Sequence, residues 1–401
     1  MSYIFPDKFI ERYKQIIPDL DNFLQILQTP LRQSFRINTI KAIKQEVLSK
    51  LADIKLEPIP WCDIAFRIID PINIGERIEH QIGLIYSQEA VSMIPALVLD
   101  PKPNDKILDI CAAPGSKTTQ IAQMMNNTGC IVANDISKKR INALISNIER
   151  LGILNTVITM QVGQKLGYYA PEYFDKVLLD APCSLEGTIR NTPEVLLNWK
   201  VTTIRRLAKL QKGLINSAYK CLKPDGVLVY STCTFAPEEN EGVIDYLLKK
   251  NPDVSIEPIT LNSLKTRPAV LDWGDTHFND KIKNAIRIYP QDNDTEGFFV
   301  AKIHKPQMGT DKNTRLAQIK NLCKSVAKNS LLDELKTQYH LPDKIFKNYQ
   351  FEERGNKIFI MTKEVKEFDK IRPVRKGLLF AERKGNKIII FDSAKQTIIR
   401  T

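Results

Sequence analysis

Two cysteines that follow apolar runs are the side chains best suited to covalent chemistry in this chain. Cys183 stands in an Asp-Ala-Pro-Cys-Ser motif after the apolar run 174–179, and Cys233 stands in a Ser-Thr-Cys-Thr motif after the run 226–230. Such runs predict buried strands, so each cysteine is expected just past a strand end. In open α/β sheets, ligands bind at the edge where strands end. The pair therefore predicts thiol chemistry at a ligand-binding edge.

The segments that must position these cysteines alternate between strand-like and helix-like patterns over residues 86–304. Amphipathic stretches at 137–151 and 204–222 predict helices. Apolar runs predict five strands, at 106–111, 130–133, 157–160, 177–179 and 227–230. This alternation predicts a parallel, doubly wound α/β sheet.

The chain has 401 residues, which is enough for two or three domains with cores of their own. Residues 1–85 combine an amphipathic helical pattern with short alternating segments and predict a small α+β lead-in domain. After the α/β domain at 86–304, the polar stretch 305–315 predicts a linker. Residues 316–401 predict a third, smaller domain from one helical stretch at 316–335 and three strand-like runs, at 357–361, 377–381 and 387–391.

The net charge of +12 is concentrated at one end of the chain. Residues 305–401 contain 22 Lys and Arg against 11 Asp and Glu, a net charge of +11, which leaves +1 for residues 1–304. A basic module on a near-neutral body indicates phosphate contacts with RNA or DNA, or else an ordinary solvated lysine-rich surface. Charge alone does not separate these two interpretations.

Several classes of protein are disfavoured by composition. The seven cysteines are odd in number and never spaced Cys-x-x-Cys, which argues against a disulfide framework and against a zinc site. The four histidines have no partner that would indicate a metal or catalytic site. No apolar run approaches the roughly 20 residues of a membrane span, and the first residues lack a signal-peptide core. We therefore expect a cytoplasmic protein without metal or membrane contacts.

The turn after the first predicted strand is a candidate cofactor site. Backbone N–H groups and the dipole of a helix start attract an anionic group, and Gly115 would permit its close approach. Ile110 stands where a Walker A loop has its first glycine, and the three glycines of a dinucleotide fingerprint are absent. A carboxylate-bearing cofactor therefore fits better than a polyphosphate. The residues concerned are Cys111, Ala112, Ala113, Pro114, Gly115, Ser116 and Lys117.

Asp135 ends the next predicted strand, about twenty residues further on. An acid at this place commonly accepts hydrogen bonds from a ribose diol, although it could instead cap the helix that begins near Ser137. Adenosine together with an amino-acid carboxylate describes S-adenosylmethionine.

The chain resembles the RNA cytosine-C5 methyltransferases of the Nop2/Sun group, and most closely their bacterial small-subunit ribosomal-RNA branch, the RsmF-like enzymes. The resemblance covers roughly residues 30–303 and rests on the segments 83–90, 111–120, 180–187, 230–234, 237–241 and 289–301. It implies a Rossmann-like, S-adenosylmethionine-dependent catalytic domain. The basic tail resembles the PUA-type RNA-binding extension of the ribosomal branch, and its charge agrees with that interpretation.

The resemblance also implies a role for each thiol. Carbon 5 of cytosine is a poor nucleophile, so Cys233 is expected to add to carbon 6 and make carbon 5 reactive toward the methyl group. Cys183 is expected to assist release, when carbon 5 loses its proton and the thiol is eliminated. Asp180 would hydrogen-bond the cytosine edge and border the cofactor. Lys117 would support this charge arrangement, or else be a solvated lysine of the first helical turn.

Alternatives remain open on the nucleophile and on the substrate. DNA cytosine-C5 methyltransferases carry their nucleophile in a Pro-Cys motif, which would nominate Cys183, although the Ser-Thr-Cys-Thr motif argues for Cys233. The expected substrate is small-subunit ribosomal RNA, free or in the subunit, with the target base flipped out. Transfer RNA is the alternative substrate. A different class, an RNA-binding ribosome-assembly factor with little turnover, is also conceivable.

Two departures from the family pattern concern the cavity. Val162 stands where members usually carry an Asp that accepts a hydrogen bond from the adenine amino group. The absence of this Asp puts the affinity for the cofactor in doubt. Leu185 stands where a glycine is usual and could narrow the base pocket. Three further residues have more than one interpretation. Arg36 and Asn38 touch RNA or pack beside the site, or else belong to an ordinary strand, and Arg190 meets a phosphate or forms a surface ion pair.

Overall fold

The structure is a computed structural model that describes residues 4–307, 329–339, 341–366, 368, 372–385 and 387–391. The first part of the chain combines short helices with a four-stranded sheet. Its elements are α1 (Asp7–Tyr13), α2 (Leu20–Leu27), β1 (Ser34–Ile37), α3 (Lys44–Lys50), β2 (Leu56–Ile59), β3 (Cys62–Ile68), α4 (Ile78–Gln81) and β4 (Ile85–Ser87). The strands pair antiparallel in the order β2-β3-β1-β4.

The middle of the chain forms the central sheet and its covering helices. Its elements are α5 (Ile94–Leu99), β5 (Lys106–Asp109), α6 (Ser116–Met124), β6 (Cys130–Asn134), α7 (Lys138–Leu151), β7 (Thr156–Thr159), α8 (Leu166–Tyr169), β8 (Phe174–Asp180), α9 (Val201–Cys221), β9 (Leu222–Thr232), α10 (Glu241–Lys250), β10 (Ser255–Glu257), β11 (Arg267–Pro268), β12 (Asp272–Trp273), β13 (Thr276–His277), β14 (Ile286–Ile288), α11 (Pro290–Asn293) and β15 (Phe298–His304). Short 3₁₀ turns lie at Ile74–Glu76, Val91–Met93, Gly163–Lys165, Glu186–Thr188, Pro193–Asn198 and Asp280–Asn284.

The strand order of the central sheet explains where a ligand can bind. The order is β11-β14-β15-β9-β8-β5-β6-β7-β18, with β10 beside β15; β18 comes from the end of the chain (Arg375–Lys376). Strands β5 to β9 are parallel, and the chain order reverses between β5 and β8. The predicted doubly wound α/β methyltransferase fold is therefore confirmed. The prediction of a parallel sheet is wrong at both sides of the sheet, where β14, β15 and β18 pair antiparallel.

Alternate residues of the parallel strands pack into layers on opposite faces of the sheet. On β5, Leu108 belongs to the cluster that contains Leu214 of α9, whereas Ile107 belongs to the cluster that contains Leu144 of α7. These four side chains are at most 4% exposed, and burial of each such side chain stabilises the fold by about 1.5–3 kcal/mol. The apolar runs are continuous in sequence because both faces are covered by helices.

The last part of the chain carries a second four-stranded antiparallel sheet. Its described elements are α12 (Asn329–Tyr339), α13 (Asp343–Asn348), β16 (Gln350–Arg354), β17 (Lys357–Met361), α14 (Lys363–Lys366), β18, β19 (Leu378–Lys384) and β20 (Lys387–Ile390). The strands of this sheet have the order β16-β17-β19-β20. The predicted runs 357–361 and 387–391 coincide with β17 and β20. Most of the predicted helix at 316–335 and of the predicted linker lies outside the described residues.

The last part of the chain is joined to the central sheet by β18. Arg375 and Lys376 pair with Ile158 and Val157 at the edge formed by β7, and the Arg375 guanidinium lies 2.7 Å from a carboxylate oxygen of Glu149. The predicted strand at 377–381 lies within β19 except for its first residue, Gly377. The φ of 67° at Gly377 turns the chain from β18 into β19. The basic module therefore continues the sheet of the catalytic body.

Candidate active site

The carboxyl edge of the central sheet opens into a cavity of about 740 Å³. It lies where β5, β6, β8 and β9 end, on both sides of the point at which the chain order reverses. All predicted site residues but Gly115 line this cavity: Cys111, Ala112, Ala113, Pro114, Ser116, Lys117, Asp135, Asp180, Cys183 and Cys233. Residues that the sequence analysis did not single out complete the wall, among them Gln161, Leu210 and Leu214. Sequence offered no signal for them, because they are apolar or amide side chains on ordinary helices and loops.

Gly115 is not on the cavity wall. It precedes α6 with a φ of 108°, and a Cβ at this position would lie 2.8 Å from Cδ1 of Leu144 on α7. The close approach that requires a glycine is therefore to a neighbouring helix, whereas the sequence predicted an approach to the cofactor. The turn still delivers its backbone to the cavity, because the five residues before Gly115 line it.

α6 is held in place by the buried guanidinium of Arg36. It donates to Gln88 Oε1 at 2.9 Å, to Thr119 Oγ1 at 2.5 Å and to the side-chain oxygen of Gln123. Burial lowers the pKa of Arg36 to about 10. Asn38 is likewise buried. Arg36 lies on the strand β1, as one interpretation held, and the structure also supports packing of both residues beside the site.

Asp135 both lines the cavity and organises the backbone around it. Its Oδ2 accepts from the backbone N–H of Ala113 at 3.3 Å and lies 3.2 Å from the Arg140 guanidinium, while its Oδ1 accepts from the N–H of Ser137 at 2.9 Å. Ser137 itself caps α7 by accepting from the N–H of Arg140. The acid therefore positions the start of the helix, as one interpretation held, and also borders the predicted cofactor site.

The two predicted thiols lie side by side. Cys183 Sγ and Cys233 Sγ are 3.3 Å apart, within hydrogen-bond distance for sulfur. The hydrogen bond to Cys233, together with burial and the nearby carboxyl of Glu239, raises the pKa of Cys183 well above its ordinary value. Cys183 therefore holds its proton more tightly than an ordinary cysteine does.

A buried ion pair stands beside the thiols. Lys117 Nζ donates to Asp180 Oδ2 at 2.6 Å and to Ser92 Oγ at 2.9 Å, and Asp180 Oδ1 accepts from Ser231 Oγ at 2.8 Å. Burial opposes the charge on Lys117, but Asp180 outweighs it, with Cys233 also contributing, so the pKa of Lys117 is raised. Lys117 is thus a buried cation of the site, and the interpretation as a solvated lysine is wrong.

Comparison with known proteins identifies the family. The sequence profile described as 16S rRNA methyltransferase RsmB/F matches residues 96–304, and the profile of the N-terminal domain of 16S rRNA methyltransferase RsmF matches residues 5–90. The chain belongs to the RsmB/F methyltransferase family. The predicted resemblance to the RsmF-like RNA cytosine-C5 methyltransferases is confirmed, and with it the prediction of an enzyme.

Named relatives of this RsmB/F family member act on two kinds of RNA. A tRNA (cytosine(49)-C(5))-methyltransferase of Pyrococcus abyssi is 48% identical over 304 residues, which are 75% of this chain and 96% of the relative. A ribosomal RNA small subunit methyltransferase F of Aliivibrio fischeri is 41% identical over 76% of this chain and 65% of the relative, so this chain spans about two thirds of its length. A methyltransferase homologue from Pyrococcus horikoshii has a solved structure with 37% sequence identity and a TM-score of 0.67. The match covers 75% of this chain and 95% of the homologue.

In this RsmB/F structure two buried side chains, Glu239 and Gln211, form a clamp on the Cys183 loop. Glu239 Oε2 accepts from the N–H of Ser184 at 3.1 Å and from Gln211 Nε2 at 2.7 Å, and the same Gln211 nitrogen donates to the carbonyl of Pro182 at 2.8 Å. The clamp therefore grips the residue on each side of Cys183. Burial raises the pKa of Glu239 to about 7. The sequence did not reveal this role, although Glu239 stands in a family segment.

The Cys233 loop is tied to distant elements by Glu186, which is fully buried. One carboxylate oxygen accepts from Tyr13 Oη at 2.5 Å, Thr234 Oγ1 at 2.6 Å and the N–H of Phe235 at 3.1 Å. The other oxygen accepts from Trp199 Nε1 at 2.6 Å. One side chain thereby connects α1, the segment before α9 and both residues that follow Cys233.

Both departures from the family pattern lie at the cavity. Val162 lines the wall and is 38% exposed, so an apolar surface stands where family members carry an acceptor. Leu185 is 46% exposed and has a φ of 63°, the left-handed region that favours glycine. Leu185 lines the cavity together with Cys183, and whether it narrows the base pocket stays a prediction.

Arg190 is a structural cation rather than an exposed phosphate ligand. Its side chain is nearly buried and forms a 2.8 Å ion pair with Asp294. It also donates to the carbonyl of Thr295 at 3.1 Å. Of the two interpretations of Arg190, the ion pair is the one the structure supports.

Within the described ranges, no three His, Cys, Asp or Glu side chains are grouped closely enough to hold a metal ion. The same ranges contain no helix with the length and apolar character that crossing a membrane requires.

Proposed function

We propose that this protein methylates carbon 5 of a cytosine in small-subunit ribosomal RNA through a covalent adduct with Cys233. The observation that carries the proposal is the pair of thiols 3.3 Å apart in the wall of a cavity that the turn before α6 also lines. A nucleophile and a cofactor-binding turn share one cavity, as the reaction requires.

The residues of the cavity fit S-adenosylmethionine. Three carboxylates, of Asp109, Asp135 and Asp180, line it and suit a ligand with a cationic sulfonium and ammonium group. The backbone of the turn before α6 would bind the carboxylate, Asp135 the ribose, and the apolar surface around Val162 the adenine. When bound, S-adenosylmethionine supplies an electrophilic methyl group.

The proposed reaction uses the two thiols in sequence. The Cys233 thiolate adds to carbon 6 of the flipped-out cytosine, which makes carbon 5 nucleophilic, and carbon 5 then takes up the methyl group. A base removes the carbon-5 proton, the bond between sulfur and carbon 6 breaks, and the ring regains its aromaticity. Cys183, which holds its proton beside Cys233, would assist this release.

Lys117 and Asp180 divide the electrostatic work in this proposal. Lys117 is a buried cation near Cys233, and it would stabilise the negative charge that sulfur carries when it attacks. Asp180, fixed by Lys117 and Ser231, would present its carboxyl to the cytosine edge and polarise the ring when sulfur adds. The raised pKa of Lys117 keeps this cation charged over the pH range in which the enzyme would work.

Ribosomal RNA is favoured as the substrate by the family profiles, both of which describe 16S rRNA methyltransferases. We further propose that the basic module 316–401 is a PUA-like RNA-binding domain joined by the linker 305–315 to the catalytic domain 86–304, with residues 1–85 as the lead-in domain. The cytoplasmic location expected from composition stays a prediction.

Transfer RNA is a second candidate substrate. The specific observation in its favour is the 48% identity with the archaeal tRNA methyltransferase, of which this chain covers 96%. That identity exceeds the 41% found with the bacterial ribosomal enzyme. The two substrates therefore need a direct comparison.

The deciding experiment is transfer of labelled methyl from S-adenosylmethionine to unmodified small-subunit RNA, assembled small subunits and transfer RNA. Cys233→Ala serves as the control. Label in the ribosomal samples alone, lost in the variant, is the expected result. Label in transfer RNA alone would select the second candidate, and no label in any RNA would support the assembly-factor alternative.

A further inference from the structure

A second cavity, of about 430 Å³, opens beside the first on the far side of the Cys183 loop. Cys183 and Leu185 line both cavities, so the two spaces adjoin at these residues. The second cavity lies between that loop, the segment Pro193–Asn198 and the first turns of α9. A strand whose base occupies the first cavity can therefore reach the second with a neighbouring nucleotide.

The walls of the second cavity combine free cations with apolar surface. Lys200 and Arg206 line it and are exposed, and neither side chain forms a hydrogen bond or ion pair with any residue in the described part of the chain. Glu194 is the one acid on the wall. The ring of Trp199 forms part of the apolar side and is held by the hydrogen bond of its Nε1 to Glu186 at 2.6 Å.

Leu185 separates the two cavities in a conformation that disfavours its own side chain. A leucine at a φ of 63° is strained relative to glycine, and nearly half of this residue's surface is exposed. Neither the thiols nor the cofactor turn requires a branched apolar residue there. An apolar side chain at the step between two base-sized spaces is what separates a flipped base from its stacked neighbour.

We propose that the second cavity binds the nucleotide adjacent to the target cytidine, with Lys200 and Arg206 on its phosphate and Leu185 between the two bases. The inference rests on the proposed function, because it takes single-stranded RNA as the ligand of the first cavity. Cations on a phosphate and an apolar wall against a base form the usual platform for a single strand.

The test measures binding of a labelled single-stranded RNA pentamer with a central cytidine, by fluorescence anisotropy at several salt concentrations. Lys200→Ala/Arg206→Ala should weaken binding about ten- to a hundredfold and reduce the slope of log affinity against log salt by about 1. The matched control is Arg205→Ala/Lys209→Ala, which removes the same charge from exposed positions of α9 outside the cavity. It should change affinity less than about threefold.

A modified probe locates the phosphate. A pentamer with a neutral methylphosphonate next to the cytidine should bind the wild type about tenfold more weakly, and should bind Lys200→Ala/Arg206→Ala no worse than the unmodified pentamer does. Leu185→Gly should fold as stably as the wild type and bind the unmodified pentamer more weakly. Equal weakening by the two double variants, or additive losses with the methylphosphonate, would overturn the proposal.

Methyl transfer by the wild type is measured in parallel to keep the two proposals apart. Methylation without any dependence of pentamer binding on Lys200 and Arg206 would reject the second cavity alone. Cavity-dependent binding without methylation of any RNA would reject the proposed function and leave the second cavity as an RNA site.

Discussion

The loops that carry Cys183 and Cys233 lie side by side but are held in different ways. The Cys183 loop is gripped on both flanks by Glu239 and Gln211, and its thiol is 9% exposed. The Cys233 loop is tied through Glu186 to elements far away in sequence, and its thiol is more exposed and lies near Lys117. The first loop thus places its thiol next to a carboxyl group, and the second places its thiol near a cation.

This difference explains how two identical side chains can take different roles. A carboxyl group and burial favour the protonated thiol, whereas a buried cation favours a thiolate. Cys183 would therefore hold its proton until release, while Cys233 attacks. Four predictions test whether the two loops are as distinct as this electrostatic difference indicates.

The largest effect is expected from removing each thiol in turn. Cys233→Ala should lower methyl transfer by at least about a thousandfold, because no nucleophile remains. Cys183→Ala should also lower turnover, but should accumulate a covalent complex of protein and RNA that migrates slowly on a denaturing gel. If Cys233→Ala accumulated the complex and Cys183→Ala did not, the roles of the two cysteines would be reversed.

The second prediction concerns the anchor of the Cys233 loop. Glu186→Ala leaves four buried donors without their acceptor and should lower the free energy of unfolding by about 3 kcal/mol or more. Urea denaturation measures this change. The control Glu194→Ala removes an exposed acid nearby and should change stability by less than about 0.5 kcal/mol. Similar losses in both variants would contradict the anchoring role.

The third prediction concerns the clamp of the Cys183 loop and its pH dependence. Burial raises the pKa of Glu239 from 4.5 to about 7, so the folded chain binds this proton more tightly than the unfolded chain. The corresponding stability is present below the unfolded pKa and is lost as pH rises through the folded pKa, a change on the order of 3 kcal/mol. Glu239→Gln cannot ionise, so its free energy of unfolding should fall less than that of the wild type between these pKa values.

Urea titrations at several pH values measure this difference, with the exposed Glu11→Gln as the matched control. The control should follow the wild-type pH profile to within about 0.5 kcal/mol. Parallel profiles for Glu239→Gln and the wild type would show that the clamp does not bind a proton on folding.

The smallest effect is expected from a change at Val162, in the part of the cavity proposed to bind the cofactor. Val162→Asp restores a charged acceptor and should raise affinity for S-adenosylmethionine about tenfold, as measured by calorimetry. Binding of RNA should change less than binding of the cofactor, because Val162 does not line the second cavity. Val162→Asn, which offers a neutral acceptor of similar size, is the control and should give a smaller gain.

The central strands and the polar edge at their ends were predictable because their signals are local. Each apolar run reports burial between two helical layers, and the motif after it reports the strand end. The predicted run at 106–111 extended two residues too far, because Ile110 and Cys111 are apolar yet belong to the turn that lines the cavity. Hydrophobicity could not distinguish a strand end from an apolar cavity wall.

The motifs of this chain were sufficient to name its family, its two thiols and the turn that fits the cofactor, since each is a contiguous stretch of residues. Folding alone brought Cys183 within 3.3 Å of Cys233 across 50 positions of sequence, and Tyr13 to Glu186 across 173. It also decided that Arg36 and Arg190 are buried and hydrogen-bonded within the protein. The side chains of Lys200 and Arg206, in contrast, line a second cavity without a partner in the described part of the chain. Such roles depend on burial and on partners distant in the chain, and a sequence pattern carries neither.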